Sequence, residues 1–267
     1  MMTHLFFILT VALYGCAAAA YLACLLRTTP LLTLWAGRLL ATGFTAHLLS
    51  TIHLGVRMQY LPLTNMQESL SFFSLAIIGS FIFFERKYKV TTLGSFITPV
   101  ALVMLIVASS LHVEVRQLPP ILQSNWFWFH ALLAFASYAC FTIAAGVAIM
   151  YLIQRYFLKT KQLGALFQKL PSLETMDDIS YRCLTVGFPM LTVAIISGSI
   201  WSEQAMGNYW IWDRKQTWSL IIWFIYAALL HLRLTIGWRG KRAAILSILG
   251  FIVVLFTFFG MKHSIIW

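Results

Sequence analysis

Eight long apolar blocks separated by short polar segments set the terms for this 267-residue chain. A run of about 20 apolar residues crosses the hydrocarbon of a bilayer as a helix, because no water is there to satisfy an open backbone. Charged residues make up only 10% of the chain, against roughly a quarter in a water-soluble domain. The mean hydropathy of +0.83 points the same way. The fold class is therefore all-α, a polytopic bundle of transmembrane helices. Spans are expected near residues 5–26, 34–55, 69–84, 91–111, 127–152, 184–201, 218–236 and 243–261. The block at 69–84 is short enough to borrow turns from its flanks. The first block follows no basic segment and precedes no small-residue cleavage site, so it reads as a retained span.

An even number of spans puts both termini on one side. With the termini outside, the inner side receives Arg27, Arg38, Arg86, Lys87, Lys89, Arg155, Lys159, Lys161, Lys169, Arg182, Arg233, Arg239, Lys241 and Arg242. The outer side then receives only Arg57, Arg116, Arg214, Lys215 and Lys262. Basic residues collect on the cytoplasmic side of membrane proteins, and this division selects N-out, C-out. The net charge of +11 is dispersed among these segments. It reads as loop placement and attraction to anionic lipid, with no nucleic-acid partner. Cys16, Cys24, Cys140 and Cys183 form no CxxC pair and read as packing residues.

The longest inner connection, 154–181, contains KLPSLETMDD, in which Ser172 can cap a short helix beginning at Leu173. No repeat or second soluble domain is evident, so residues 1–267 read as a single membrane domain.

Unusual chemistry collects on the outer side. Residues 201–218 read WSEQAMGNYWIWDRKQTW and hold Trp201, Tyr209, Trp210, Trp212 and Trp218. Interfacial belts account for some of these aromatics. Their local density fits a platform for a large planar ligand. His130 begins the fifth span at its outer end and His263 follows the eighth at its outer end. Two neutral imidazoles can occupy the axial positions of a haem iron. No zinc-like Cys/His spacing accompanies them.

Six segments carry a family resemblance: TNMQES at 64–69, DDISYR at 177–182, the stretch 187–223 around the tryptophans, LLHLR at 229–233, GWRGKRA at 237–243 and FGMKHS at 259–264. Over most of its length the chain resembles the CcsA, or ResC, component of System II cytochrome c synthases, in the haem-handling family marked by a WWD segment. The resemblance implies presentation of haem b, as bound substrate, outside an energy-transducing membrane, bacterial or thylakoid, with the bacterial placement preferred. Covalent attachment to the CxxCH motif of an apocytochrome c follows. It further implies that His130 and His263 are the outer axial ligands and the catalytic pair, and that His231 is the internal haem ligand. Trp201, Trp210, Trp212, Asp213 and Trp218 belong to the haem-binding segment. A ResB/CcsB-like membrane protein supplies the remaining internal ligand, and thiol-reducing proteins are admitted as further partners. Three positions depart from the family pattern, which has Trp at Met206, Pro at Arg214 and Glu at Gln216.

His47 and His53 are open to haem passage, helix packing or a partner interface. His4 and His112 read as interfacial, and Glu68 as either a vestibule group or a helix cap. Asp213 is open to orienting a turn, pairing with Lys215 or Arg214, or positioning the ligand. Competing functions are a haem-delivery module, a noncatalytic haem sensor or scaffold, and a solute transporter; the paired outer histidines favour the first two over the third.

Overall fold

A computed structural model describes residues 2–27, 29–111 and 120–260. Within them the α-helices are α1 (Met2–Leu26), α2 (Pro30–Met58), α3 (Met66–Tyr88), α4 (Gly94–Ser110), α5 (Asn125–Thr160), α6 (Ala165–Lys169), α7 (Leu173–Met206), α8 (Arg214–Thr235) and α9 (Lys241–Gly260). Eight of these segments are long and apolar enough to cross a membrane, and no strand occurs among the described residues. The chain is an all-α polytopic membrane protein. The short third span does take extra turns, running from Met66 to Tyr88.

The structure corrects one boundary substantially. Instead of a short surface helix followed by a span from 184, α7 is one continuous helix from Leu173 to Met206. Ser172 caps it, its Oγ accepting from Thr175 N at 3.1 Å. The acids that suggested a water-exposed connection are used inside the helix: Asp178 pairs with Arg182 one turn on, and Asp177 turns inward to Arg233.

The chain packs as two compact units, one of Met1–Glu114 with Gln154–Pro171 and the other of Val115–Ile153 with Ser172–Trp267. In the first, close helix approach depends on glycine. A Cβ at Gly43 would fall 2.8 Å from the Tyr14 ring, and one at Gly94 would overlap Tyr21. Hydroxyls then bond across the seams, Ser95 to the Tyr21 carbonyl at 2.6 Å and Ser74 to the Ala101 carbonyl at 2.8 Å. Small residues and interhelical hydrogen bonds drive such packing in lipid, where burial of apolar surface gains little. Lys169 on α6 donates to the carbonyls of Cys24 and Leu25, covering open acceptors at the α1 C-terminus. Asn65 is the N-cap of α3, and Glu68 in its first turn reaches back to the residue before the cap. Asn65 Oδ1 accepts from Glu68 N at 2.9 Å, while Glu68 Oε2 accepts from Thr64 N at 2.8 Å. This is the structural use of TNMQES. Burial, with the Glu68 carboxylate adding to it, raises the Tyr60 phenol above its usual range.

The second unit is assembled from α7, α8, α9 and most of α5. Ser137 on α5 donates to the Gly187 carbonyl on α7 at 2.8 Å. Phe141 stacks on Tyr226 of α8 at 3.6 Å, and Gly250 of α9 approaches that tyrosine so closely that a Cβ would sit 2.9 Å from its ring. None of the four cysteines forms a disulfide, and Cys24, Cys140 and Cys183 are buried.

Candidate functional site

At one end of the second unit, α7 ends and α8 begins around the tryptophan-rich loop. Gly207 terminates α7 with φ of 71°, a left-handed cap that glycine adopts without strain. Asp213 starts α8: its Oδ1 accepts from Gln216 N at 2.6 Å. Gln216 reaches back so that Oε1 accepts from Ile211 N at 2.9 Å, and its Nε2 donates to Ser202 Oγ at 3.4 Å. Ser202 in turn donates to the Asn208 carbonyl at 2.8 Å. The loop is thus pinned to both helices through its main chain. Asp213 serves as an N-cap that orients this turn, and Gln216 keeps the oxygen acceptor that a glutamate would provide.

Within this frame the tryptophans part company. Trp201 is 2% exposed, packs against Phe127 and Leu122, and donates from Nε1 to the Ile121 carbonyl at 2.9 Å. Its ring fastens the chain before α5 onto α7. Trp218 packs edge-on against Phe256 of α9 at 4.7 Å. Trp210 and Trp212 meet edge to face at 5.8 Å, and Trp212 stands 70% exposed on a backbone with φ of 55°. A left-handed φ is rare for a bulky side chain. Trp210 Nε1 is buried with no hydrogen-bond acceptor.

His130 lies in the second turn of α5, half-buried against α7. Its Nδ1 is 2.6 Å from the Ala194 carbonyl oxygen. A carbonyl only accepts, so Nδ1 carries the proton and the Nε2 lone pair defines the tautomer. Gly198 makes room for the ring, since a Cβ there would fall 2.6 Å from Nδ1.

The far end of the same helices holds His231, exposed on α8. Two residues on and turned the other way, Arg233 is buried against Asp177. Nη1 donates to Oδ1 at 3.0 Å and Nη2 to Oδ2 at 2.5 Å. Gly240 N also donates to Oδ1 at 3.0 Å, and the guanidinium lies 4.6 Å from the Tyr181 ring centre. The sequence reading missed this clamp, although DDISYR and LLHLR each contain half of it.

The site residues therefore fall into an end with His130, Trp201, Trp210, Trp212, Asp213 and Trp218, and an opposite end with His231. His263 and His112 lie outside the described residues, as does the side chain of His4. His47, in the first unit, is buried between Tyr14 OH at 3.3 Å and Ser71 Oγ at 2.9 Å, which accounts for both ring nitrogens by packing. His53 is half-buried near the end of α2. Among the described residues no group of three His, Cys, Asp or Glu side chains is placed to hold a metal ion.

Comparison with known proteins adds a consistent set of likenesses. A family described as cytochrome c assembly protein matches residues 63–266. The cytochrome c biogenesis protein CcsA of Guillardia theta is 36% identical over 245 residues, covering 81% of each chain. That of Pyropia yezoensis is 34% identical over 253 residues, covering 78% of this chain and 79% of its own. Among solved structures, cytochrome c haem lyase CcmF superposes with a TM-score of 0.74 at 15% identity, over 99% of this chain. This chain spans 47% of that one, about half its length, and the likeness is one of fold.

Proposed function

Because the chain belongs to the cytochrome c assembly protein family, as a CcsA component with a role in cytochrome c biogenesis, we propose that it is the subunit of a haem lyase that presents haem for attachment to apocytochrome c. In this reading the whole chain acts as one functional domain, oriented N-out and C-out. The tryptophan end faces the outer side of a bacterial or thylakoid membrane. His130 and His263 hold the iron of haem b from either face, and Trp210 and Trp212 bound the ring plane. Each thiol of a CxxCH motif adds across one vinyl group, sulfur bonding to one carbon and hydrogen to the other. The chain's contribution is placement and exclusion of water. The substrate's own histidine then displaces a synthase imidazole, which couples completion to release.

The seat of His130 carries this reading. Histidines that bind iron or other metals typically donate their second ring nitrogen to a carbonyl or carboxylate, which fixes tautomer and ring orientation. His130 has that support from Ala194, with Gly198 cut to fit the ring. Trp210 adds a second line of support. A buried N–H without an acceptor costs about 1–3 kcal/mol, and a propionate or another ligand oxygen would recover it. At the opposite end, His231 shares an exposed face of α8 with Ile221, Phe224 and Ala228. An imidazole exposed on the membrane-spanning surface of one chain suits a haem site completed by a ResB/CcsB-like partner.

The test is reconstitution with and without a ResB-like partner, followed by haem staining of an apocytochrome under denaturing conditions. Covalent cytochrome formed only by the pair supports the reading, and a pair that retains no haem removes it. Bound haem without attachment would instead make the chain a delivery module or sensor.

A further inference from the structure

Along the seam between α5 and α7, next to the His130 seat, a cavity of about 560 Å³ opens. Trp126, four residues before His130, lines it from α5. Trp201 and Ala205, three and seven residues after Gly198, line it from α7. These spacings keep the cavity on the same helix faces that hold the imidazole, one turn further toward the helix ends. Its size falls within the range of ligand sites.

The polar side chains that line it among the described residues are uncharged. Gln123, Ser124, Asn125 and Gln204 face it, with Ser124 Oγ donating to Gln204 Oε1 at 3.0 Å. Among the described residues no Lys, Arg, Asp or Glu contributes to it. A carboxylate or phosphate ligand would be expected to meet a cation there, and a purely apolar ligand would strand these amides. A peptide main chain is the better complement. Each carboxamide offers an acceptor and two donors, matching peptide N–H and C=O groups. Recognition through the main chain is also indifferent to side chains. That suits a site whose substrates share only a short attachment motif. None of residues 206–218 lines the cavity, which separates it from the tryptophan loop.

We propose that this cavity seats the main chain of the apocytochrome segment next to its attachment motif and guides it along the α5–α7 seam to His130. The proposal rests on the haem-presenting function set out above. Asn125 and Gln204 make the main-chain hydrogen bonds. Ser124, by occupying Gln204 Oε1, turns the Gln204 amide nitrogen toward peptide carbonyls.

A fluorescent peptide carrying the attachment motif, with serine in place of both cysteines, reads binding without attachment when titrated into the haem-loaded full chain and its partner. Asn125→Ala combined with Gln204→Ala should weaken peptide binding about tenfold, the loss expected for two hydrogen bonds, with the haem absorption spectrum unchanged. Gln123→Trp, at an exposed position on the cavity wall, should obstruct the peptide similarly and decides the matter if the double variant does not accumulate. Unchanged affinity overturns the proposal, as does a wild-type complex that binds no peptide. Parallel loss of the haem spectrum also overturns it, by making the cavity part of the haem seat. Peptide binding that depends on these residues in a complex that forms no thioether would keep the cavity as a peptide seat and remove the synthase reading instead.

Discussion

Where α7 starts and α8 ends, the Asp177 carboxylate accepts from both terminal nitrogens of Arg233 and from the Gly240 main chain. Where α7 ends and α8 starts, Trp210 keeps a buried donor without an acceptor, and Trp212 stands exposed on a left-handed backbone. The same two helices thus carry a polar network with every partner in place at one end, and at the other a bonded loop that leaves one buried donor, Trp210 Nε1, unpaired. A closed network strengthens the fold and leaves nothing for a ligand to complete. An open one costs stability that a ligand can return. The first end reads as architecture and the second as the candidate site.

That contrast is broken most directly at the clamp. Asp177→Ala strands a buried guanidinium and should cost about 3–5 kcal/mol, measured as a fall in thermal stability of the detergent-purified chain. Haem spectra taken well below the transition should stay normal. A variant as stable as wild type would deny the clamp its structural role. His130→Ala should do the reverse. Haem retention and covalent cytochrome yield should drop by about a hundredfold or more, while the melting temperature moves little. A large loss of stability with haem retained would make His130 a packing residue.

Gly198→Ala sharpens the comparison within the site itself. The added methyl would crowd Nδ1 and push the ring off the Ala194 carbonyl. Haem affinity should fall about tenfold, the scale of losing a supporting hydrogen bond, with the helices intact by circular dichroism. Equal affinity would mean that the imidazole needs no fixed orientation.

How far these features were legible follows from where their signals reside. The eight spans declared themselves because lipid demands length and apolarity, both properties of residue type. The start of α7 was hidden because Pro171, Ser172 and three nearby acids resemble a solvated turn. Only the partners of Asp177 and Asp178, Arg233 and Arg182, reveal that those acids belong to a helix. Trp210, Trp212 and His130 stood out as an aromatic and imidazole cluster. Trp201, equally conspicuous, proved to be a buried fastening, since a tryptophan in sequence does not state which way it faces. The support of His130 left almost no trace, because a main-chain carbonyl has no residue signature. Its one clue is the small side of α7, Gly187, Ala194 and Gly198 at intervals of seven and four. Gln216 looked like a lapse from the family's glutamate, yet its oxygen still accepts from Ile211 N.

Trp210→Phe carries the smallest effect and the most informative sign. The substitution keeps a ring beside Trp212 and removes only the orphaned N–H and part of the indole. If the donor awaits a ligand oxygen, the haem-free chain should gain about 1 kcal/mol, since an unpaid desolvation penalty disappears, offset in part by lost ring volume. Haem should bind several-fold more weakly, because the recovered hydrogen bond is no longer available. Stability and affinity would then move in opposite directions, which no simple packing defect produces. Thermal unfolding of the haem-free chain, paired with haem titration by absorbance, reads both quantities on one preparation. A fall in both would put Trp210 in the class of Trp201, a ring that fastens neighbouring chain segments together, and the open end would then resemble the closed one.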